Sequence, residues 1–375
     1  MSRHLLLIGG GHSHVEVIRR FAAAPEPGVE LILVSPGRFT AYSGMLPGHI
    51  AGHYSHADCH IDLEPLCRRA GVHRIEDAVD RIDPDNRVAT CGTAGKLHYD
   101  VLSLDAGSTP VIANIAGASE HGIPVKPVPV LLQRWAQLRK RARNTGRDIR
   151  IAVVGAGAAG VEVLLSMQYR IAADGGRARF TLLSDGPDIL AAHPGGVRRR
   201  FEHILRQRGV AIRPDAAVLS AEPGALQLRG GERLPCDEVL WITGAAAPAW
   251  PGAGGLRTDA AGFVLIDASL QSLSHPGVFA SGDIASMLHA PRPKSGVYAV
   301  RQGPPLTENL RRALRGQSLL QYRPQARALA LIGTGDRHAV ASYGPLAFDG
   351  RWVWRWKDYI DRGFMARYRA IDDEL

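Results

Sequence analysis

The stretch LLLIGGGHSHVE, residues 5–16, decides how this chain is read. Leu5, Leu6, Leu7 and Ile8 form an apolar strand that runs straight into glycine. Gly9, Gly11 and His14 then stand at GxGxxG spacing, and a helix is expected to open behind them. Glycine permits the tight turn. The helix N-terminus offers free N–H groups and a positive dipole end to a pyrophosphate. A lone loop of this kind is weak evidence, but the chain carries a second, IAVVGAGAAGVE at residues 151–162, with Gly155, Gly157 and Gly160. Each loop also places a glutamate seven residues after its first glycine, Glu16 and Glu162.

The repeat extends beyond the loops. YDVLSLDAGSTP (residues 99–110) and CDEVLWITGAAAP (residues 236–248) each set an aspartate seven residues before a glycine: Asp100 to Gly107, Asp237 to Gly244. Each half opens with strand, loop and helix and closes with a strand and a glycine. The chain therefore reads as a duplicated nucleotide-binding domain of α/β class.

The remaining composition narrows the classes. With 375 residues and 45% hydrophobic content, the chain has room for two or three domains with buried cores. Its apolar runs are strand-sized, well short of the roughly 18 residues of a membrane span. The N-terminal apolar run leads directly into the phosphate loop, so it does not read as a signal peptide. The formal net charge of +9 suits nucleic acid, an anionic membrane or acidic cofactors. The basic clusters Arg139–Arg141 and Arg198–Arg200 lack the interleaved aromatics of a single-strand binder, so no nucleic acid is expected. The four cysteines, Cys59, Cys67, Cys91 and Cys236, form no CxxC or zinc pattern, which points to a reduced, cytoplasmic protein. Histidines crowd the first 60 residues (His4, His12, His14, His49, His53, His56, His60). Their spacing mixes loop and helix positions, so no metal site is expected.

Along the chain, residues 4–8 read as strand, 12–23 as helix and 30–35 as strand. Phe39–Tyr54 reads as loop because of its Gly and Pro residues. Four segments are expected: 1–122 as the first part of one nucleotide domain, 123–255 as a second domain inserted in it, 256–318 as the return to the first, and 319–375 as a separate small α+β unit. The proline-rich IPVKPVPV (residues 123–130) reads as the crossover, with the second sheet starting at Ile149. HPGVFASGDIAS (residues 275–286) marks the return, and its Gly282-Asp283 turn presents an acid to the hydroxyls of a bound sugar chain.

Two GxGxxG loops, the Asp–Gly closings and FASGD together resemble the two-dinucleotide-binding flavoproteins of the pyridine nucleotide–disulfide oxidoreductase family, over about residues 4–318. Within it the chain looks like the type II NADH dehydrogenases. YSGMLPGHIAGHY and WRWKDYIDRGFMARY resemble a subgroup found alone or fused before selenophosphate synthase. The resemblance implies two Rossmann-like domains, with FAD on the first loop and NAD(P)H on the second. Gly9, Gly11, His12, Ser13 and His14 would lie along the FAD pyrophosphate, with Asp283 and Gly282 at the ribityl end, Val79 at the adenine and Gly107 nearby. Gly155, Gly157, Ala158, Gly160 and Gly244 would hold the nicotinamide nucleotide. Three positions depart from the family pattern. His14 replaces the third glycine, which implies looser packing of helix on strand or a shifted loop. Ser35 replaces the acid that binds the FAD ribose, which implies weaker FAD binding or Arg38 as a substitute. Ser184 stands at the matching place in the second domain, followed by Asp185, whose charge favours NADH over NADPH.

The implied reaction is hydride transfer from nicotinamide C4 to flavin N5, for which the cofactors supply the chemistry. Lys294 would stabilise negative charge on the reduced ring, or else stand as a solvated surface lysine. Glu162 would relay a proton or orient the nicotinamide, or else be a helix-surface carboxylate. The Phe39–Tyr54 region has no cysteine, so no redox-active disulfide is expected, and all four cysteines read as structural. Electrons would pass to a small-molecule acceptor, quinone-like or unidentified. A selenium- or sulfur-linked reductase and a redox-sensing flavoprotein with little turnover remain as alternatives. In the C-terminal unit, Trp352, Trp356, Tyr359, Ile360 and Phe364 recur at near-helical spacing. The stripe fits a tail docked on the protein's own core, a homodimer contact, or a reversible peripheral contact with the inner face of a membrane, as the family resemblance implies.

Overall fold

The computed structural model describes residues 2–369; Met1 and residues 370–375, at the ends of the first and last expected segments, lie outside the described residues. The opening apolar run becomes the strand Arg3–Ile8 at the centre of a five-stranded sheet. Val29–Val34 and Val101–Leu104 flank it in parallel, and His73–Ile75 and Val278–Ala280 form the edges. Leu5, Leu6 and Leu7 are wholly buried, because both faces of a parallel sheet are covered. The strand is therefore continuously apolar rather than alternating.

The second sheet repeats this order. Ile149–Val154 is central, between Ala178–Leu183 and the closing strand Glu238–Trp241, with Ala211–Arg213 and Ile123–Pro124 at the edges. Each sheet also carries a three-stranded antiparallel flap, Val79–Asp83 with Val88–Cys91 and Gly95–His98 in one, Val218–Glu222 with Ala225–Leu228 and Arg233–Pro235 in the other. Val278–Ala280 rejoins the first sheet only after the whole second sheet, so the second Rossmann-like unit is inserted in the first. Each glycine loop leads into a helix, His12–Ala23 and Ala158–Ala173.

Three local expectations change. Phe39–Tyr54 is not a loop. Phe39–Ala41 pairs with His60–Asp62, and Leu46–Ala51 is a helix whose residues Leu46 and Ile50 join the core around the second sheet. Its Pro47 sits in the first turn and its Gly52 caps the end at φ +85°, so the two residue types that read as loop punctuation are helix boundaries. The proline-rich crossover is itself structured, as edge strand Ile123–Pro124 and helix Val128–Asn144, so the second sheet begins before Ile149.

The C-terminal segment folds as an antiparallel sheet, Ala330–Gly333, Ala339–Tyr343 and Leu346–Gly350, followed by the helix Arg351–Arg369. It is not separate. Phe364, Met365 and Tyr368 belong to the core around the first sheet, while Ile332 and Val340 belong to the core around the second.

Candidate functional site

The first loop is tightly constrained. Gly9 has φ +92°, and a Cβ there would lie 2.4 Å from the Asp105 carbonyl oxygen. At the third loop position the two halves differ. A Cβ on Gly160 would lie 1.8 Å from the Gly155 carbonyl oxygen, so glycine is required. His14 instead sets its ring between helix and strand, with Nδ1 2.6 Å from the Gly9 carbonyl oxygen and Nε2 2.8 Å from Ser103 Oγ. Its ring thus points into the core, and burial lowers its pKa to about 4. The helix N-terminus is also less open than the sequence suggests: the Asp105 carboxyl accepts from Ser13 N at 2.9 Å and His14 N at 3.2 Å.

Around the Gly282-Asp283 turn, Asp283 accepts from Lys126 Nζ at 2.9 Å and Ser108 Oγ at 3.1 Å. Burial pushes the Asp283 carboxyl up, but the Lys126 ammonium and these hydrogen bonds outweigh it and hold the group below its ordinary range. Lys126 reaches across from the crossover between the two sheets, a role the proline-rich composition hid. His12 lies close by. Its Nε2 is buried with no hydrogen-bond partner among the described residues, and burial lowers its pKa to about 4. An orphaned buried nitrogen beside a charged turn marks a place for a polar ligand. On the second loop, a Cβ on Gly157 would meet nothing within 4 Å, so its Cα faces open space of the kind a phosphate fills. The residues present therefore fit a dinucleotide at each loop.

The other expected contacts lie as follows. Ser35 is buried at the end of its strand, with Oγ 3.3 Å from the Gly37 carbonyl oxygen. Arg38 is engaged by Asp62 through Nε at 2.9 Å, so it is not a free substitute for a ribose-binding acid. Val79 opens the first strand of the flap, and Gly107 has φ +73° beside open space. Ala158 begins its helix, Asp185 is exposed past the strand Ala178–Leu183, and Gly244 accepts from Val111 N at 2.9 Å. Lys294 is no solvated lysine. Its Nζ donates to the Ala285 carbonyl oxygen and sits 3.8 Å over the Phe263 ring, and burial lowers its pKa.

Glu162 is not a helix-surface carboxylate either. Its Oε1 accepts from Gly333 N at 2.7 Å, and burial raises its pKa to about 7 against the pull of Lys357. Lys357 donates to the Gly44 carbonyl oxygen and to Asp361 Oδ2, the latter at 2.8 Å. Asp361 Oδ1 accepts from Tyr42 OH at 3.0 Å, and Tyr42 stacks on Phe364 at 4.3 Å between centroids. Burial alone lowers the Lys357 pKa, but Glu162 and Asp361 reverse this and keep it charged. Sequence reasoning did not place Tyr42, Lys357 and Asp361 in a site, because the C-terminal stripe reads, by its aromatics, as a docked tail, a dimer contact or a membrane contact. The usable signal was the spacing of Val353, Lys357, Asp361, Phe364 and Tyr368, which marks one face of a helix.

The remaining face of that helix points outward and mixes aromatics with arginines, among them Arg351, Arg355 and Arg362. Trp352, Trp356, Tyr359 and Ile360 are exposed, Tyr359 at 78%, while Phe364 of the same expected stripe is buried. Leu346 and Phe348, on the preceding strand, are exposed beside them. No described helix is long and apolar enough to cross a membrane. All four cysteines are free and buried. Burial pushes the Cys59 and Cys67 thiols to about 12 and Cys236 to about 11, which suppresses thiolate chemistry.

Comparison with known proteins agrees with this geometry. Residues 3–303 match the pyridine nucleotide-disulphide oxidoreductase family. An NADH dehydrogenase-like protein of Mycobacterium tuberculosis is 30% identical over 235 residues, spanning 61% of this chain and 59% of that relative. The chain thus matches less than two thirds of that relative's length. The demethylphylloquinone reductase of Synechocystis is 27% identical over 278 residues, 71% of this chain and 68% of its own. The sulfide:quinone oxidoreductase structure from Aquifex aeolicus superposes with a TM-score of 0.84 at 18% identity, covering 99% of this chain and 92% of that one, which speaks for the fold. With paired glycine loops on two equivalent parallel sheets and the family match across most of its length, the chain belongs to the pyridine nucleotide-disulphide oxidoreductase family.

Proposed function

We propose that this protein is an FAD-dependent NADH oxidoreductase of the type II NADH dehydrogenase kind, handing electrons to a quinone-like acceptor without a redox-active disulfide. The observation that carries the reading is the pair of equivalent glycine loops, of which the first faces the Lys126–Asp283 pair and the second leads into Glu162. When bound, FAD supplies the hydride-accepting and electron-donating chemistry. The chain's own residues bind and orient. Asp283, fixed by Lys126 and Ser108, presents a carboxylate to the ribityl hydroxyls. Lys294 places a partly desolvated cation next to the Gly282-Asp283 turn. Glu162 and Lys357 hold a proton-bearing pair beneath the C-terminal helix, where an acceptor taking up electrons also needs protons.

The Synechocystis relative's name supports a quinone acceptor, and the outward aromatic face of Arg351–Arg369 supports peripheral attachment to a membrane that dissolves one. We divide the chain into segments 1–122, 123–255, 256–318 and 319–375, and on motif resemblance we group it with the chains found alone or fused to selenophosphate synthase. Asp185 favours NADH over NADPH by repelling a 2′-phosphate.

The test is direct. The purified protein should carry about one FAD per chain and oxidise NADH rapidly with a short-chain quinone. A protein that cannot be reconstituted with FAD, or one reduced by NADH yet re-oxidised only by sulfur or selenium species, would replace this reading.

A further inference from the structure

The two duplicated halves differ at one buried position beneath their glycine loops. The closing strands align through Asp100 and Asp237, and five residues on stand Asp105 in the first half and Ile242 in the second. Asp105 is 4% exposed. Its carboxyl lies between the loop and the Gly282-Asp283 turn: a Cβ on Gly11 would lie 2.2 Å from its Cγ, and one on Gly282 2.4 Å from its Oδ1. Both glycines are therefore required by this carboxyl, not only by the turns they make.

The substitution of the third loop glycine explains why a carboxyl sits here. His14 fills the helix–strand junction with its ring, bonded to the Gly9 carbonyl oxygen and Ser103, and Asp105 closes the start of the helix by accepting from Ser13 N and His14 N. In the second half, Gly160 brings its Cα against the Gly155 carbonyl oxygen, and among the described residues no side chain caps that helix's N-terminus.

We propose that Asp105 is a positioning residue of the first dinucleotide site, which confines the pyrophosphate to the N–H groups at Gly11 and His12 and must be uncharged for the dinucleotide to seat. This rests on the assignment of FAD to the first loop. The charged groups that face Asp105 are Asp283 and Lys126, already paired with each other. His12 and His14, on the helix packed against it, are held neutral by burial. The further cation near the turn, Lys294, is committed to the Ala285 carbonyl oxygen and the Phe263 ring, so an ionised Asp105 beside a pyrophosphate sets two anions together and opposes cofactor entry. Burial, opposed by the two backbone N–H groups, raises the carboxyl well above its ordinary range, which favours the uncharged form. FAD binding is then linked to a proton and weakens as pH rises through the Asp105 titration, by up to about tenfold per pH unit.

The experiment is FAD titration of deflavinated protein by quenching of flavin fluorescence, from pH 6 to 9, on wild type, Asp105→Asn and Asp105→Ala, with apoprotein melting temperatures alongside. Asn keeps an oxygen acceptor for the two N–H groups and cannot ionise. It should bind FAD within about threefold of wild type at pH 6 and show a flat pH profile where wild type weakens. Ala should bind at least about tenfold more weakly at every pH. A wild-type profile superimposable on that of Asp105→Asn, or an Ala variant that binds FAD as tightly as wild type, overturns the proposal while leaving the FAD assignment intact. A purely structural cap would lower the melting temperature of Ala without separating the pH profiles of wild type and Asn. Wild type that takes up no FAD at any pH removes the assignment and this inference together.

Discussion

His14 and Glu162 show how far a residue's chemistry departs from its place in a motif. His14 occupies a glycine position, and its hydrogen bonds to the Gly9 carbonyl and Ser103 hold the same strand–helix junction that Gly160 holds by having no side chain. Glu162 follows a phosphate loop yet turns toward Gly333 and Lys357. Its raised pKa has a consequence for stability. Between its ordinary value and about 7 the folded state holds a proton that the unfolded state has lost, so stability falls as pH rises through that window. Glu162→Gln removes this dependence. The variant should gain on wild type by on the order of 1–3 kcal/mol between pH 4.5 and 7.5, read from denaturant midpoints at each pH. Parallel pH profiles for the two proteins would show that Glu162 titrates normally.

At the scale of elements, the C-terminal helix buries an ion pair among its core residues and leaves aromatics outside. Its Lys357–Asp361 ion pair is buried, while Trp352, Trp356, Tyr359 and Ile360 face outward. Burying an ion pair costs desolvation and exposing tryptophan forgoes burial, so stability alone does not explain either. The proposed membrane contact would place the outer face against lipid. Trp356→Glu should reduce sedimentation with anionic vesicles on the order of tenfold, with flavin content and melting temperature unchanged, because the side chain is already exposed. Unaltered vesicle binding would leave the aromatic face to a protein contact. The helices His12–Ala23 and Gly296–Leu314 meet closely, since a Cβ on Gly303 would lie 2.7 Å from Glu16 Cβ. Gly303→Ala should therefore cost about 1–3 kcal/mol by overpacking, measured by urea denaturation, even though alanine is the better helix former.

For the whole molecule, the C-terminal segment is a clasp rather than an appendage. The two loop glutamates, equivalent by duplication, both engage it: Glu16 accepts from Tyr368 OH at 3.2 Å and Glu162 from Gly333 N at 2.7 Å. With Phe364 and Met365 in one core and Ile332 in the other, a chain ending at Gly350 should melt at least about 10 °C lower than the full chain by calorimetry, if it folds at all. A truncated protein as stable as the full chain would show the clasp to be dispensable. What the sequence determined was whatever is local and repeated. Apolar run, glycine turn and helix start lie within a dozen residues, and their recurrence set the two Rossmann-like units and the order of the segments. The same locality misled at Pro47 and Gly52, whose types punctuate loops and helix ends alike, and only the packing of Leu46 and Ile50 decides between them. Tertiary structure alone decided which residues meet across distance. Lys126 with Asp283, Asp105 with Ser13, and Tyr42 with Asp361 are separated by 157, 92 and 319 positions, and no periodicity encodes such pairs. The first two form because sheet order brings strand ends and helix starts to one edge, and the third because the C-terminal helix packs across the segment that carries Tyr42. At that edge burial and the charged partners, not residue type, set which way each carboxyl's pKa moves.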